Sequence, residues 1–155
     1  MYGSSTPDID PIWFLPLFVL GWCAVCAFLS LKGGWHTLSQ LYSARNRLPS
    51  EIFRFASMGL GLGYFPVGYG SCLTIQVGTE GIGLSILPLF RILHPPLFIP
   101  WSAVSDCKQE KFWFLTHRAL YLAEPKTRLL FRGRVAAAVS NYWERHRLSQ
   151  GRERN

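Results

Sequence analysis

The chain has 155 residues, of which 49% are hydrophobic, 15% are aromatic and only 16% are charged. This length fits one domain with a short accessory segment and excludes a large multidomain enzyme. The composition excludes a disordered chain, a collagen, a coiled coil and a disulfide-stapled scaffold. So much apolar surface on a small chain must be covered by a membrane, by a partner, or by both.

Charge is distributed unevenly along the chain. All 16 Lys and Arg residues lie at or after Lys32, whereas residues 1–10 carry only two acidic groups. Residues 11–31 carry no charge, and at about 1.5 Å per residue they reach roughly 31 Å, the thickness of a bilayer's hydrocarbon core. We predict an acidic tail over residues 1–10 and a transmembrane helix over residues 11–31. A cleaved signal peptide would need a basic start and a shorter apolar core.

The positive-inside rule orients the predicted helix. Lys32, Arg45 and Arg47 follow it and no basic residue precedes it, so we expect a single-pass protein with its N-terminus outside and its domain in the cytoplasm. In that reducing compartment, Cys72 and Cys107 would remain free thiols. The residues expected at the membrane interfaces are Trp13, Lys32, Trp35, Tyr42, Arg45 and Arg47.

Residues 32–49 are predicted to form a short juxtamembrane amphipathic helix and a linker. The apolar residues that recur there at helical spacing are Trp35, Leu38, Leu41 and Tyr42. This stripe can lie in the lipid headgroup region or pack on the domain that follows, and the sequence leaves both arrangements open.

After Glu51 the apolar pattern changes to the period of two that is typical of half-buried strands. An amphipathic helix beginning at Arg134 follows, with Val135, Ala138 and Val139 on one face. We predict one domain over residues 50–148 and a basic, disordered tail over residues 149–155. Seven short strands are expected, one beginning at Ile52 and the others at 73–77, 82–86, 97–100, 104–115, 119–122 and 129–131.

About seven antiparallel strands capped by a C-terminal α-helix form a mainly-β fold of the PH-like kind, which includes the GRAM-like variety. The chain also resembles a family of short, mostly uncharacterised bacterial proteins with such domains. The resemblance covers roughly residues 33–115, and its most specific part is HPPLFIPW at residues 94–101. It implies a fold and a bacterial inner (cytoplasmic) membrane as the location, but no particular activity.

Two segments are candidates for a binding surface. Residues 91–102 contain three prolines that stiffen the chain beside His94 and Trp101, and residues 59–70 are rich in glycine and aromatic side chains. Each has a structural alternative, in which His94 ties down its own loop, Trp101 packs under the C-terminal helix, and the loop aromatics cap the barrel. The predicted surface consists of Tyr64, Phe65, Tyr69, Arg91, His94, Pro95, Pro96 and Trp101.

The sequence predicts no cofactor, no metal site and no catalytic residue. The glycine-rich segment lacks the Lys of a phosphate-binding loop, and the same lack of cations argues against specific phosphoinositide capture. The four His residues lack ligand spacing with one another or with Cys. The basic charge is dispersed, which favours attraction to anionic lipid over nucleic-acid binding.

We therefore expect a non-catalytic, membrane-anchored adaptor whose cytoplasmic domain binds a protein or a membrane surface. The expected partners are the lipid bilayer and another membrane or cytoplasmic protein. An alternative is a small accessory or assembly subunit of a larger integral membrane complex. Its helix contact would use a small-residue stripe formed by Gly21, Ala24, Ala27 and Ser30. An enzyme with an unrecognised site is the third hypothesis.

Overall fold

A computed structural model describes residues 11–43, 50–62, 66–112 and 114–153. The helices in these ranges are α1 (Pro11–Gly33), α2 (Trp35–Leu41) and α3 (Gly133–Glu153). The strands are β1 (Ser50–Leu60), β2 (Val67–Gly78), β3 (Gly81–Ile86), β4 (Leu97–Pro100), β5 (Val104–Phe112), β6 (Leu115–Leu122) and β7 (Thr127–Phe131). The predicted architecture of an apolar N-terminal helix, seven antiparallel strands and a C-terminal helix is confirmed.

The seven strands form one sheet with the order β4-β3-β2-β1-β7-β6-β5. Because β1 pairs with both β2 and β7, it joins a four-stranded meander to a three-stranded one, and the sheet curls into a half-barrel. Register shifts on both sides of Ala56 interrupt the β1–β2 ladder. Such bulges bend a strand and increase its twist, which lets the long β1 serve both halves.

The core lies on the inner face of this curled sheet. In the second half of β2, Leu73, Ile75 and Val77 are fully buried there, as the period of two predicts. The predicted apolar face of α3 closes the open side, and Val139 at its centre is fully buried. Within β3, a Cβ on Gly81 would lie 2.2 Å from the carbonyl oxygen of Ile99, so the β3–β4 pairing requires glycine there.

Several boundaries differ from the prediction, and β2 begins at Val67 rather than at Leu73. The turn between β5 and β6 comes before Leu115 rather than at 116–117, and His117 pairs with Glu110 inside the ladder. α3 continues to Glu153, so the prediction of a disordered tail is wrong for residues 149–153. Gln and Arg are good helix formers, and they extend a helix that is already nucleated by its packed first half.

α2 packs on the sheet domain, which decides between the two arrangements left open above. Trp35 and Leu38 are fully buried, and the backbone N–H of Phe98 donates a 3.2 Å hydrogen bond to the carbonyl of Tyr42. Gly34 has a φ of +77°, a left-handed conformation that lets the chain change direction between α1 and α2. The prediction that Trp35 lies at the membrane interface is therefore wrong, because its ring belongs to the core.

Candidate functional site

The first half of α1 is covered by no other part of the described chain. Its large apolar side chains from Ile12 to Leu20 are between 50% and 80% exposed. Among the described residues, the helix Ile12–Gly33 is the one that is long and apolar enough to span a membrane. Trp13, predicted at the outer interface, is 63% exposed near the start of this helix.

The second half of α1 packs one of its faces on the sheet domain. Cys26, Ser30 and Gly33 are buried and recur every three or four residues, which places them on one side of the helix. A Cβ on Gly33 would lie 2.9 Å from the hydroxyl of Tyr69 and 3.3 Å from the Cβ of Val67. The hydrogen of glycine therefore permits the close approach between the end of α1 and β2.

The segment that connects β3 to β4, residues 87–96, lies along this same face of α1. We call it the β3–β4 loop. The indole Nε1 of Trp22 donates a 3.2 Å hydrogen bond to the carbonyl of Leu89, and the two rings of Trp22 and Phe90 lie 5.1 Å apart. Further along the helix, the hydroxyl of Ser30 donates a 2.5 Å bond to the carbonyl of Leu93. The loop is thus fastened to α1 at two levels.

Three aromatic rings interlock where α1, α2, β2 and the β3–β4 loop meet. The ring centroid of Trp35 lies 5.3 Å from the centroid of Tyr69 and 5.3 Å from the centroid of His94. The centroids of Tyr69 and His94 are 5.7 Å apart. The indole Nε1 of Trp35 donates a 3.0 Å hydrogen bond to the carbonyl of Pro95. We call Trp35, Tyr69 and His94 the aromatic joint.

The hydrogen bonds of His94 define its protonation. Its Nδ1 lies 2.8 Å from the carbonyl of Ile92, so Nδ1 carries the proton, and Nε2 accepts from the Tyr69 hydroxyl at 3.3 Å. Burial lowers the pKa of His94, and the bond to Ile92 only partly offsets this effect. Burial raises the pKa of Tyr69. Both groups are therefore neutral at pH 7, and the joint is an uncharged structural contact.

The predicted binding surface is divided by the structure. Tyr69, His94 and Pro95 do come together, but Tyr69 and His94 are buried as parts of the joint. Trp101 is also buried, because its Nε1 donates to the carbonyl of Gly78 and its ring packs 6.1 Å from that of Trp143 in α3. His94 thus ties down its own loop and Trp101 packs against the C-terminal helix, as the structural alternatives had it. Because both side chains are buried, neither can contact a partner directly.

Some of the other predicted residues are exposed, as a binding surface requires. Others lie outside the ranges that the structure describes. Arg91 and Pro96 are exposed on the β3–β4 loop, and Lys32 is exposed in the last turn of α1. Tyr42 is half-buried, and its hydroxyl donates to the carbonyl of Glu124. The remaining predicted residues, which lie outside the described ranges, are Arg45, Arg47, Tyr64 and Phe65.

Sequence reasoning missed the polar contacts between α1 and the β3–β4 loop. Trp22 and Ser30 are uncharged, so nothing in the apolar pattern distinguished them from the other residues of the predicted transmembrane helix. A usable signal was present, since a hydroxyl or an indole N–H in a bilayer-spanning helix needs a hydrogen-bond partner. The loop also has exposed apolar side chains, at Leu89, Ile92 and Leu93, which the predicted binding surface does not include.

A second polar cluster lies on the opposite part of the sheet. Arg128 forms a 2.9 Å ion pair with Glu110, which also accepts a hydrogen bond from the hydroxyl of Tyr121. These side chains bridge β5, β6 and β7, so their arrangement serves to hold the three strands together. In the part of the chain that the structure describes, no group of three or more His, Cys, Asp or Glu side chains could hold a metal ion.

No protein-family model matches the chain, and no curated protein sequence matches it. The function must therefore be inferred from the geometry and chemistry of the chain itself.

Proposed function

We propose that this chain is a single-pass membrane protein that acts as a non-catalytic adaptor, with a PH-like domain at the cytoplasmic face of the membrane. The observation that carries this proposal is the division of α1 into an exposed apolar half and a half packed on the sheet domain. An exposed apolar surface of this size needs a nonpolar environment. The strand order and the docked C-terminal helix support the PH-like interpretation.

The packing of α1 gives the adaptor a defined orientation. A domain joined to its helix by a flexible linker would sample many orientations relative to the membrane. Here the helix end contacts β2 at Gly33 and the β3–β4 loop at Ser30 and Trp22. The domain therefore presents a constant face to the bilayer and another to the cytoplasm, which suits the binding of a protein or a membrane surface.

The distribution of charge supports a cytoplasmic domain. Lys32 is exposed in the last turn of α1, and Arg91 is exposed on the loop beside it. Positive side chains next to a membrane helix favour the cytoplasmic side, and they are attracted to anionic lipid headgroups there. The resemblance to bacterial proteins leads us to propose the bacterial cytoplasmic membrane as the location.

An accessory subunit of a larger membrane complex is the second candidate. The exposed first half of α1 favours it, because another membrane helix could cover that surface as well as lipid does. The predicted small-residue stripe is shorter than the sequence suggested, since Ser30 is buried against the protein's own loop. Gly21 and Ala24 remain exposed and could still permit close helix contact.

The test begins with membrane integration of the full-length chain. We expect the protein to stay in the membrane fraction after an alkaline carbonate wash, and a tag at the C-terminus to be protected from protease in intact spheroplasts. Release by carbonate, or an exposed C-terminal tag, would contradict the proposal. Gentle detergent extraction then separates the two candidates, because a membrane protein recovered at a fixed ratio identifies an accessory subunit.

A further inference from the structure

The depth of the β3–β4 loop follows from the length of α1. A helix needs about 20 residues to cross the roughly 30 Å hydrocarbon core. The freely exposed residues 12–20 cover only about 13 Å at 1.5 Å per residue. If α1 spans the bilayer, residues 22–31 must also lie within the hydrocarbon. The loop that packs on those residues then lies there with them.

The surface of the loop has the chemistry that this position requires. Leu89 is 68% exposed, Leu93 45% and Ile92 38%, and none of the three contributes to the buried core of the domain. Phe90 lies against Trp22 on the helix side. The loop therefore turns apolar side chains outward beside a helix whose own exposed side chains are apolar.

Most backbone carbonyls of the loop have hydrogen-bond partners inside the protein, which favours a nonpolar environment. An irregular segment is tolerated at membrane depth only where its polar groups find partners inside the protein. Pro88 has no N–H, and the N–H groups of Phe90, Arg91 and His94 bond to loop carbonyls. Trp22 and Ser30 supply the donors that the loop itself lacks, for Leu89 and Leu93. The carbonyls that accept a hydrogen bond are those of Leu87, Pro88, Leu89, Arg91, Ile92 and Leu93.

Arg91 is the charged residue of the loop. In the chain it lies between Leu89, which bonds to Trp22, and Leu93, which bonds to Ser30, and it is exposed. A long arginine side chain can lie along apolar surface while its guanidinium reaches the phosphate layer. The guanidinium of Arg91 would thus extend from the loop toward the cytoplasmic headgroups, where Lys32 lies on α1.

We propose that residues 87–93 form a second membrane-embedded element, which inserts into the cytoplasmic leaflet beside α1 and contacts lipid acyl chains. This inference rests on the proposed function, because it takes α1 to span a bilayer. Beyond the proposed function, it states that the sheet domain itself enters the membrane through its β3–β4 loop. The single helix and the loop together fix the domain at two points.

The decisive experiment measures depth at three positions in the full-length chain, reconstituted alone in phosphatidylcholine–phosphatidylglycerol vesicles. The four native cysteines are replaced by Ala, and an environment-sensitive fluorophore is attached to Leu89→Cys, Leu20→Cys or Glu80→Cys. Leu20 reports on the exposed half of α1. Glu80 is the matched domain control, because it adjoins the other end of β3, about 20 Å from the loop along the six-residue strand.

We expect the probe at Leu89 to be quenched by nitroxides on lipid acyl chains and shielded from aqueous iodide, as the probe at Leu20 is. The probe at Glu80 should show the reverse. If iodide quenches the probe at Leu89 while the probe at Leu20 stays shielded from iodide, the inference is overturned and the proposed function stands. A water-exposed Leu20 probe would overturn both.

A second measurement uses the unaltered chain, in case the cysteine-free background fails to fold. Vesicles are prepared with lipids that carry a photoreactive diazirine on the acyl chain, and the adducts are mapped by mass spectrometry. We expect adducts within residues 88–93 as well as along α1, and none within residues 79–83. Adducts on α1 with none on the loop would overturn the inference.

Discussion

The two halves of α1 are both largely apolar, but they lie in different environments. Side chains from Ile12 to Leu20 point outward on all sides, whereas residues 22–33 present one face to the sheet domain. What distinguishes the second half is a small set of groups that fit a partner: an indole N–H, a hydroxyl and a glycine hydrogen. Apolar character alone therefore leaves the first half of α1 uncovered, and a few specific contacts determine how the domain packs against the second half.

The largest effect should come from destroying the surface on which the second half packs. Val139→Asp places a charge in the fully buried centre of the α3 face, and a buried charge without a partner costs several kcal/mol. We expect the domain to unfold while the chain stays in the membrane, as measured by protease sensitivity and carbonate resistance together.

Ala137→Asp is the matched control for this change, because Ala137 is exposed on the same helix. It should leave the domain resistant to protease. Equal loss of resistance in both variants would show that any acidic residue in α3 is harmful and that the docking of its apolar face is not the cause.

A second pair of variants compares the two halves of α1 directly. Gly33→Leu forces a side chain into the 2.9 Å gap to the Tyr69 hydroxyl and the 3.3 Å gap to Val67, whereas a Cβ at Gly21 meets nothing within 4 Å. Overpacking of this kind costs about 1–3 kcal/mol. We expect thermal unfolding in detergent to shift downward for Gly33→Leu and to stay near the wild-type value for Gly21→Leu. A similar shift for both would mean that α1 does not pack on β2 as described.

Much of the fold follows from local patterns in the sequence. The uncharged run, the period of two in Leu73, Ile75 and Val77, and the apolar face of α3 each predict an element that the structure contains. These patterns work because each depends on residues that are close together in the chain. The order of the seven strands was not predicted, because the pairing of β1 with β7 joins residues about 70 positions apart.

The candidate site was harder to predict for the same reason. Residues 91–102 did contain His94, a central part of the joint, but its partners Trp35 and Tyr69 come from two other segments. The proline-rich pattern indicated a stiff segment and gave no indication of which face is buried. The contacts of Trp22 and Ser30 depend on an alignment of α1 with the loop that only the tertiary structure shows.

A smaller effect should follow from removing one of the polar contacts between α1 and the loop. Ser30→Ala leaves the carbonyl of Leu93 without its 2.5 Å hydrogen bond, which costs about 1 kcal/mol for a buried acceptor. We expect faster deuterium exchange of the loop amides with little change elsewhere in the domain. Ala24→Ser, which adds a hydroxyl to an exposed position of the same helix, should leave exchange of the loop unchanged. Unaltered loop exchange in Ser30→Ala would mean that this bond does not hold the loop.

The smallest effect expected is a dependence of stability on pH through the aromatic joint. Burial lowers the pKa of His94 from its ordinary value of 6.5, so below about that pH the unfolded chain binds a proton that the folded chain excludes. The free energy of unfolding should therefore be greatest above pH 6.5 and decrease as the pH falls toward the lower folded-state pKa. Because His94→Gln removes the titrating group, it should flatten this decrease when unfolding is measured in detergent between pH 7.5 and 5. An equally steep decrease in the variant would assign the pH dependence to groups outside the joint.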